Sequence, residues 1–179
     1  TDGGETWNEV NHGLKNLYVG SLYMHPEVPN LLLAGTGNNQ YYQDAGVYRT
    51  DDGGQNWSRV LAGDDPINAV EFSDADPDVA YAGSARSIYR SDDRGLTWER
   101  VSPDEDGWGP AGVRAGFPID FQSDPDDPNR VFANNYGGGN FLSNDGGETW
   151  TTASRGYTGA QVRDICVNPL FPASVLAAA

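Results

Sequence analysis

The sequence predicts an all-β protein, a β-propeller built from four-stranded antiparallel blades. Three observations predict it: a short motif with Asp, Gly and Trp recurs four times, a turn rich in Pro and Asp recurs four times in the same order, and no stretch has the apolar period of a helix. The repeating unit is about 48 residues long, which suits one four-stranded blade. The 179 residues therefore hold about 3.7 blades.

The first repeated motif reads Ser/Thr-x-Asp-x-Gly-x-Thr/Asn-Trp, and its tryptophans are 50, 41 and 52 residues apart. Its carboxylate and hydroxyl groups can pair with backbone groups that a tight hairpin leaves unbonded, its glycine tolerates positive φ, and its indole can pack on a neighbouring sheet. We therefore interpret the repeated acids as structural and not as catalytic pairs. The motif residues are Asp2, Gly4 and Trp7; Asp52, Gly54 and Trp57; Asp93, Gly95 and Trp98; and Asp145, Gly147 and Trp150.

The second landmark is the Pro/Asp-rich turn, which leads into a short apolar strand in each unit. Short runs rich in β-branched and aromatic residues, bounded by turn residues, predict the other strands. Before the Pro/Asp-rich turn they are 18–24, 67–72, 117–122 and 161–167; before the Asp motif, 46–50, 87–91 and 140–143; after its tryptophan, 8–10, 58–61 and 99–101.

These landmarks predict one partial propeller over residues 1–179, with repeats at approximately 1–57, 58–98, 99–150 and 151–179. A ring of fewer than four blades leaves sheet edges open to pairing with another chain. We therefore expect the partners to include the remaining blades of a larger propeller, of which this chain is part, or copies of the chain itself.

The Asp motif resembles the Asp-box, or BNR repeat, of sialidases, sortilin (VPS10-like) receptors, xyloglucanase-type glycosidases and photosystem assembly propellers, and the resemblance covers nearly the whole chain. It implies an extracellular or extracytoplasmic protein that is either a recognition or scaffold propeller or a glycoside hydrolase. The sialidase signature Arg-Ile-Pro does not occur in the sequence, and the motifs around the catalytic acids of xyloglucanase-type enzymes are not recognisable.

Composition argues against several classes of binding partner. With 26 acidic and 11 basic residues the net charge is −15, which argues against binding to nucleic acid or to an anionic membrane surface. No apolar run is long enough to span a membrane. We assign no role to His12 or His25, and expect Cys166 to be a small buried residue.

The residue pattern predicts no cofactor. The sequence contains no Cys/His cluster of the kind that binds metals. The oxygen-rich turns at 74–78 and 124–127 leave calcium open. Their recurrence in every unit favours a structural turn.

Length variation points to a binding face. Antiparallel strands would place the Pro/Asp-rich turns and the Asp motifs at one end of the blades and the remaining loops at the other, and insertions at 36–45, 102–116 and 134–139 all fall at that second end. We call it the long-loop face and predict that it binds a protein or a glycan, since exposed aromatic rings beside polar groups suit either ligand. The candidate binding residues are Tyr41, Tyr42, Asp44, Asp104, Asp106, Trp108, Arg114, Asn135 and Tyr136, and Tyr157 is an aromatic ring of the same kind.

Asp120 and Asp164 offer a catalytic alternative. They share one column of the repeat alignment, on the strand predicted to line the central channel. Two carboxylates about 5 to 10 Å apart could serve glycoside hydrolysis, whereas polar residues facing a channel are also ordinary in propellers. The sequence thus favours a non-catalytic recognition or scaffold propeller, with a segment of a BNR-repeat glycoside hydrolase as the alternative.

Overall fold

The computed structural model describes residues 3–38, 40–63, 65–102, 107–110, 113, 115–137, 139–154 and 164–178. These residues form fourteen strands in three four-stranded sheets and one two-stranded sheet. Among them there is no helix, and so none that could span a membrane. The strands are β1 Val19–Met24, β2 Leu32–Thr36, β3 Gly46–Thr50, β4 Ser58–Ala62, β5 Ile67–Phe72, β6 Ala80–Ser84, β7 Ile88–Ser91, β8 Glu99–Arg100, β9 Pro118–Ser123, β10 Val131–Asn135, β11 Asn140–Ser143, β12 Thr151–Thr152, β13 Asp164–Val167 and β14 Val175–Ala178.

The all-β prediction is confirmed, and within each sheet the strands are antiparallel and follow chain order. The predicted strands at 46–50, 67–72 and 140–143 have the observed bounds, whereas residues 8–10 form no strand. Each strand after an Asp-box tryptophan pairs with the strand before that box, as β4 does with β3. The repeat boundaries at 57, 98 and 150 therefore lie inside sheets, because the sequence repeat and the sheet are out of phase.

The sheets pack face to face in chain order. The first strands of consecutive sheets are neighbours, β1 against β5, β5 against β9 and β9 against β13. Burying apolar side chains between consecutive sheets is the main contribution that such layers make to stability. Leu33 and Phe72 belong to the core between the first two sheets, Tyr81 and Phe121 to the next core, and Phe132 and Ile165 to the core between the third and fourth sheets.

Two glycines allow the sheets to approach closely. A Cβ atom added at Gly83 would lie 2.2 Å from Cγ of Pro118 and 2.8 Å from Cζ of Phe121 in the next sheet. A Cβ atom added at Gly35 would lie 2.9 Å from the carbonyl oxygen of Ile67. The first strand of the following sheet therefore lies against bare backbone at both positions.

The Asp-box of the third sheet shows why the motif recurs. The Ser143 hydroxyl donates to Asp145 Oδ1 at 2.7 Å and accepts the Gly147 N–H at 2.8 Å, while Asp145 Oδ1 also accepts the Thr149 N–H at 2.9 Å. Burial would raise the pKa of Asp145, but the hydrogen bonds from Thr149 and Ser143 outweigh it and lower that pKa. The boxes around Asp52 and Asp93 have the same bonds. In Asp52, hydrogen bonds from Asn56 and Thr50 lower the pKa to about 2.

The glycines of the motif behave as the sequence predicts. Gly4, Gly54, Gly95 and Gly147 all have positive φ, between 76° and 92°, a region that costs an L-residue energy.

Each of the three complete boxes is also bonded to the Pro/Asp-rich turn of its own sheet. A backbone N–H in the box donates to a carbonyl in that turn, from Gly53 to Asn30 at 2.9 Å, Arg94 to Asp78 at 2.8 Å and Gly146 to Asn129 at 2.8 Å.

Replacing Ser143 with alanine tests the structural reading of the motif. The change removes the acceptor of the buried Gly147 N–H, so we expect the free energy of unfolding to fall by about 1–3 kcal/mol. Urea denaturation measures it. Asn144→Ala, in the same turn but with an exposed side chain, is the control and should change stability by less than about 0.5 kcal/mol. Equal effects of the two substitutions would contradict a specific role for Ser143.

The box tryptophans are buried to different extents. Trp150 is buried, Trp57 and Trp98 are half-buried, and Trp7 is 89% exposed. The prediction that each indole packs on a neighbouring sheet is wrong for Trp7, whose ring packs on no sheet among the described residues. Asp2 lies outside the described residues.

His25, to which the sequence analysis assigns no role, has a structural one. It is fully buried, its Nδ1 accepts the N–H groups of Glu27 and Val28 at 3.1 Å, and its ring lies edge-on to Phe72. Burial lowers its pKa, so the neutral ring holds the first Pro/Asp-rich turn in place.

The prediction that Cys166 is buried is wrong. Cys166 is exposed, because it lies on the face of β13 opposite the buried Ile165 and Val167.

Candidate functional site

The long-loop face is formed as the sequence predicts. Because neighbouring strands are antiparallel, the connections from β2 to β3, β6 to β7 and β10 to β11 lie at the end of the sheets opposite the Asp-boxes. The connection after β2 runs from Gly37 to Ala45, whereas the one after β6 has only three residues, 85–87.

A groove of about 530 Å³ lies on this face beside the first sheet. That volume is within the range of small-ligand pockets. We call it the tyrosine groove. It is lined by the segment that leads into β1 and by the loop after β2: Lys15, Asn16, Leu17, Tyr18, Gln40, Tyr41, Tyr42 and Gln43.

Asn16 joins the two walls of the groove. Its buried carboxamide donates to the carbonyl oxygens of Tyr41 at 2.8 Å and Gln43 at 2.9 Å, and accepts the N–H of Tyr18 at 2.9 Å. Asn38 Oδ1 accepts the N–H groups of Gln40 and Tyr41, both at 2.8 Å. These bonds satisfy the backbone of an irregular loop and fix its shape before any ligand arrives.

Three tyrosines form the apolar surface of the groove. The rings of Tyr18 and Tyr41 stack with centroids 4.2 Å apart and planes at 10°. A hydrogen bond to the Tyr41 hydroxyl raises the pKa of Tyr18, which keeps its phenol protonated. Tyr18, Tyr41 and Tyr42 are 45%, 50% and 61% exposed. The structure thus places Tyr41 and Tyr42 together in a groove, while Tyr18, Lys15 and Asn16 are site residues that sequence reasoning missed.

Asp44 closes the loop next to the groove and does not line it. It has a φ of 57°, in the left-handed region that aspartate tolerates better than most residues. Its carbonyl oxygen accepts the Tyr48 hydroxyl at 2.9 Å, and its carboxylate accepts an N–H of Arg59 at 3.3 Å. These contacts give Asp44 a structural part in this loop.

Trp108 lies in the core, and not on the binding surface that the sequence predicts. Its side chain is 1% exposed and packs edge-on against Phe141 and Trp150, with centroids 5.4 Å and 5.2 Å away. Its indole N–H donates to the carbonyl oxygen of Gly116 at 2.8 Å. The prediction of a ligand contact here is wrong, because the inserted loop folds this ring back onto the third sheet.

The loop after β10 contains one buried and one exposed candidate. Asn135 is buried, and its Oδ1 accepts the N–H groups of Gly116 at 2.7 Å and Gly137 at 3.2 Å. The expectation that Asn135 faces a ligand is therefore also wrong. Tyr136 is 49% exposed and stacks on Phe117 with centroids 4.6 Å apart. Asp104, Asp106, Arg114 and Tyr157 lie outside the described residues.

The candidate catalytic acids occupy the first strands of the third and fourth sheets. Asp120 pairs in register with Asn134 and Asp164 with Ala178. The side chain of Asp164 lies outside the described residues, so the pairing of these two carboxylates stays a prediction.

A third acid was missed, Glu71 on β5. It is 1% exposed, and its Oε1 accepts the N–H of Ser123 on β9 at 2.7 Å. Burial raises the pKa of Glu71 well above its usual range, and the charges of Asp120 and Asp74 raise it further. Its place between the apolar residues Val70 and Phe72 is the sequence signal that could have singled it out.

The acidic turns are occupied by protein contacts. Asp76 Oδ1 accepts the N–H of Asp78 at 3.2 Å, Asp124 Oδ1 accepts that of Asp126 at 2.9 Å, and Asp124 Oδ2 lies 2.6 Å from Arg130. Such bonds from side chain to backbone are typical of structural Asx-turns. Within the described ranges, no three His, Cys, Asp or Glu side chains form a group that could hold a metal ion.

Comparison with known proteins agrees with this architecture. The BNR/Asp-box repeat family model matches residues 48–59, 89–100 and 141–152, which are the hairpins between the third and fourth strands of the first three sheets. No curated protein matches the chain in sequence.

Solved structures share the fold at low sequence identity. YCF48 bound to D1 peptide has a TM-score of 0.63 at 15% identity, over 88% of this chain and 48% of that chain. An ancestral GH74 enzyme has a TM-score of 0.60 at 18% identity, over 85% of this chain and 22% of that one. YCF48 from Cyanidioschyzon merolae has a TM-score of 0.54 at 18% identity, over 77% and 37%.

This chain thus spans 48% of the length of the first of these structures and 22% of the second. The repeats, the sheet order and these neighbours agree with one another. The chain carries BNR/Asp-box repeats and has the fold of β-propellers.

Proposed function

We propose that this chain is a non-catalytic recognition module that binds a macromolecular ligand, a protein or a glycan, through the long-loop face. The tyrosine groove is the observation that carries the proposal. Three exposed aromatic rings beside neutral polar side chains make an apolar surface with directional hydrogen-bonding groups, which is the composition of a ligand site.

The hydrogen bonds within the groove support the proposal. A preformed site loses little conformational entropy on binding, and the three hydrogen bonds of Asn16 together with those of Asn38 connect the described residues of both walls. A protein ligand agrees with the fold neighbour that was solved with a bound peptide. We also propose an extracytoplasmic location, which the resemblance to exported propellers suggests.

The experiment is a binding screen with the 179-residue chain against a glycan array and a panel of peptides. We expect binding to one of the two panels that weakens in Tyr41→Ala and is kept in Glu148→Gln, a change in an exposed residue at the Asp-box end. Binding that is equally sensitive to both substitutions would contradict the assignment to the long-loop face.

A segment of a glycoside hydrolase is the second candidate function. The observation that favours it is the proximity of carboxyl groups on the first strands, where the charge of Asp120 acts on Glu71. An environment that keeps one carboxyl protonated beside another is a known arrangement of an acid and a base. Hydrolysis of xyloglucan or of a sialoside that disappears in Asp120→Asn, with the fold retained, would establish this function and overturn the non-catalytic one.

A further inference from the structure

The hydrogen-bonding chemistry of the tyrosine groove is unusual for so acidic a chain. The chain has a net charge of −15, yet none of the described residues lining the groove is acidic and one, Lys15, is basic. The groove lining therefore differs in charge from the chain as a whole.

Lys15 shifts the balance of this groove towards hydrogen-bond donors. Its ammonium only donates, whereas the carboxamides of Gln40 and Gln43 and the hydroxyl of Tyr42 both donate and accept, and no described lining residue has a carboxylate. Asn16 is not available to a ligand, because both ends of its carboxamide are already bonded to the loop. A ligand that supplies acceptors and compact apolar groups and has few donors of its own therefore matches this surface.

A proline-rich segment meets these requirements better than a sugar does. Proline has a carbonyl acceptor and no N–H donor, and in a polyproline II helix the carbonyls have no internal partners. Its rings are compact and apolar, and aromatic-lined grooves bind such segments with little loss of entropy. Each sugar hydroxyl, in contrast, is a donor as well as an acceptor, so a sugar needs more acceptors, and the described lining offers it only the neutral oxygens of carboxamides and hydroxyls.

We propose that the tyrosine groove binds a proline-rich peptide segment in the polyproline II conformation. In this arrangement the prolines pack on Tyr41, Tyr42 and the exposed part of Tyr18, and Lys15, Gln40 and Gln43 donate to the peptide carbonyls. The inference deepens the proposed recognition function and rests on it.

The test is a titration of the chain with decaproline, in which binding is measured by isothermal titration calorimetry and by changes in backbone NMR chemical shifts. A Gly/Ser decamer is the control peptide, and cello-oligosaccharides are the competing ligand class. We expect saturable binding of decaproline alone, weakened at least tenfold in Tyr41→Ala and in Tyr42→Ala, the size of loss typical of an interface hot spot.

Phe171→Ala is the matched control variant. Phe171 is also an exposed aromatic residue, but it lies in the turn between β13 and β14, at the Asp-box end of the sheets and away from the groove. We expect this variant to bind decaproline as tightly as the unmodified chain does. An equal loss in Phe171→Ala, or binding that does not saturate, would overturn the proposal.

The peptide and oligosaccharide titrations distinguish failure of the peptide inference from failure of the proposed recognition function. Oligosaccharide binding that is lost in Tyr41→Ala would overturn the peptide inference and leave the recognition function in place. Binding of neither ligand would overturn the peptide inference, and the wider glycan and peptide screen then decides the recognition function by itself.

Discussion

Replacing Trp108 with alanine is expected to lower the free energy of unfolding by about 3–5 kcal/mol, the usual cost of removing a large buried aromatic side chain. Trp108 fills the space between Phe141 and Trp150, and its N–H is bonded to Gly116. Its removal leaves a cavity and an unpaired carbonyl group in the core of the third sheet.

Urea denaturation followed by circular dichroism measures this loss. Tyr136→Ala is the control for stability, because that ring is half-exposed and its removal should cost less than about 1 kcal/mol. If Trp108→Ala were as stable as the unmodified chain and lost only ligand binding, the ring would belong to a binding loop and its assignment to the core would fail.

Replacing Glu71 with glutamine is expected to stabilise the chain at neutral and alkaline pH. Glu71 is buried between the second and third sheets, and its Oε2 has no hydrogen-bond partner among the described residues. Because burial raises its pKa above the ordinary value of 4.5, the folded chain holds a proton that the unfolded chain releases. The stability linked to that proton is complete below pH 4.5 and is lost as pH rises from there through the folded pKa.

Melting temperatures between pH 4 and pH 9 measure the effect. At pH 8 we expect Glu71→Gln to unfold at a higher temperature, with a gain in free energy of about 1–3 kcal/mol, because glutamine keeps the bond to Ser123 and carries no charge. Glu99→Gln, an exposed acid on β8 of the same sheet, is the control and should follow the unmodified chain. A pH profile that Glu71→Gln leaves unchanged would show that Glu71 is not the group that titrates.

The fold could be predicted because its signals are local and repeated. Each Asp-box is a hairpin whose serine or threonine, aspartate and glycine bond within five residues of one another, as Ser143, Asp145 and Gly147 do. The local sequence alone is enough to predict such a turn. The alternation of apolar residues then fixes the strands on either side.

The groove could not be predicted in full, because its walls are far apart in sequence. Tyr41 and Tyr42 were found from the length and composition of their loop, but Tyr18 precedes β1 and meets that loop only through the bonds of Asn16. Trp108 was misread for the same reason. An aromatic residue in an insertion has the same sequence signature whether the loop exposes it or folds it into the core.

The position that Gly35 and Gly83 share, on the second strand of the first and second sheets, bears on the order in which the sheets unfold. In the third sheet the equivalent residue is Asn134, whose fully buried carboxamide has no hydrogen-bond partner among the described residues. A buried polar group of this kind costs free energy, and the core beside it, between the third and fourth sheets, has three buried apolar side chains among the described residues.

Resistance to opening should therefore be uneven along the chain. We expect the backbone amides of β13 and β14 to exchange with deuterium sooner than those of β5 and β6, because the fourth sheet can separate while the first three remain folded. Uniform exchange rates would instead indicate one cooperative unit. On this expectation, the residue at this position and the apolar core beside it together decide whether a sheet unfolds with its neighbours or ahead of them.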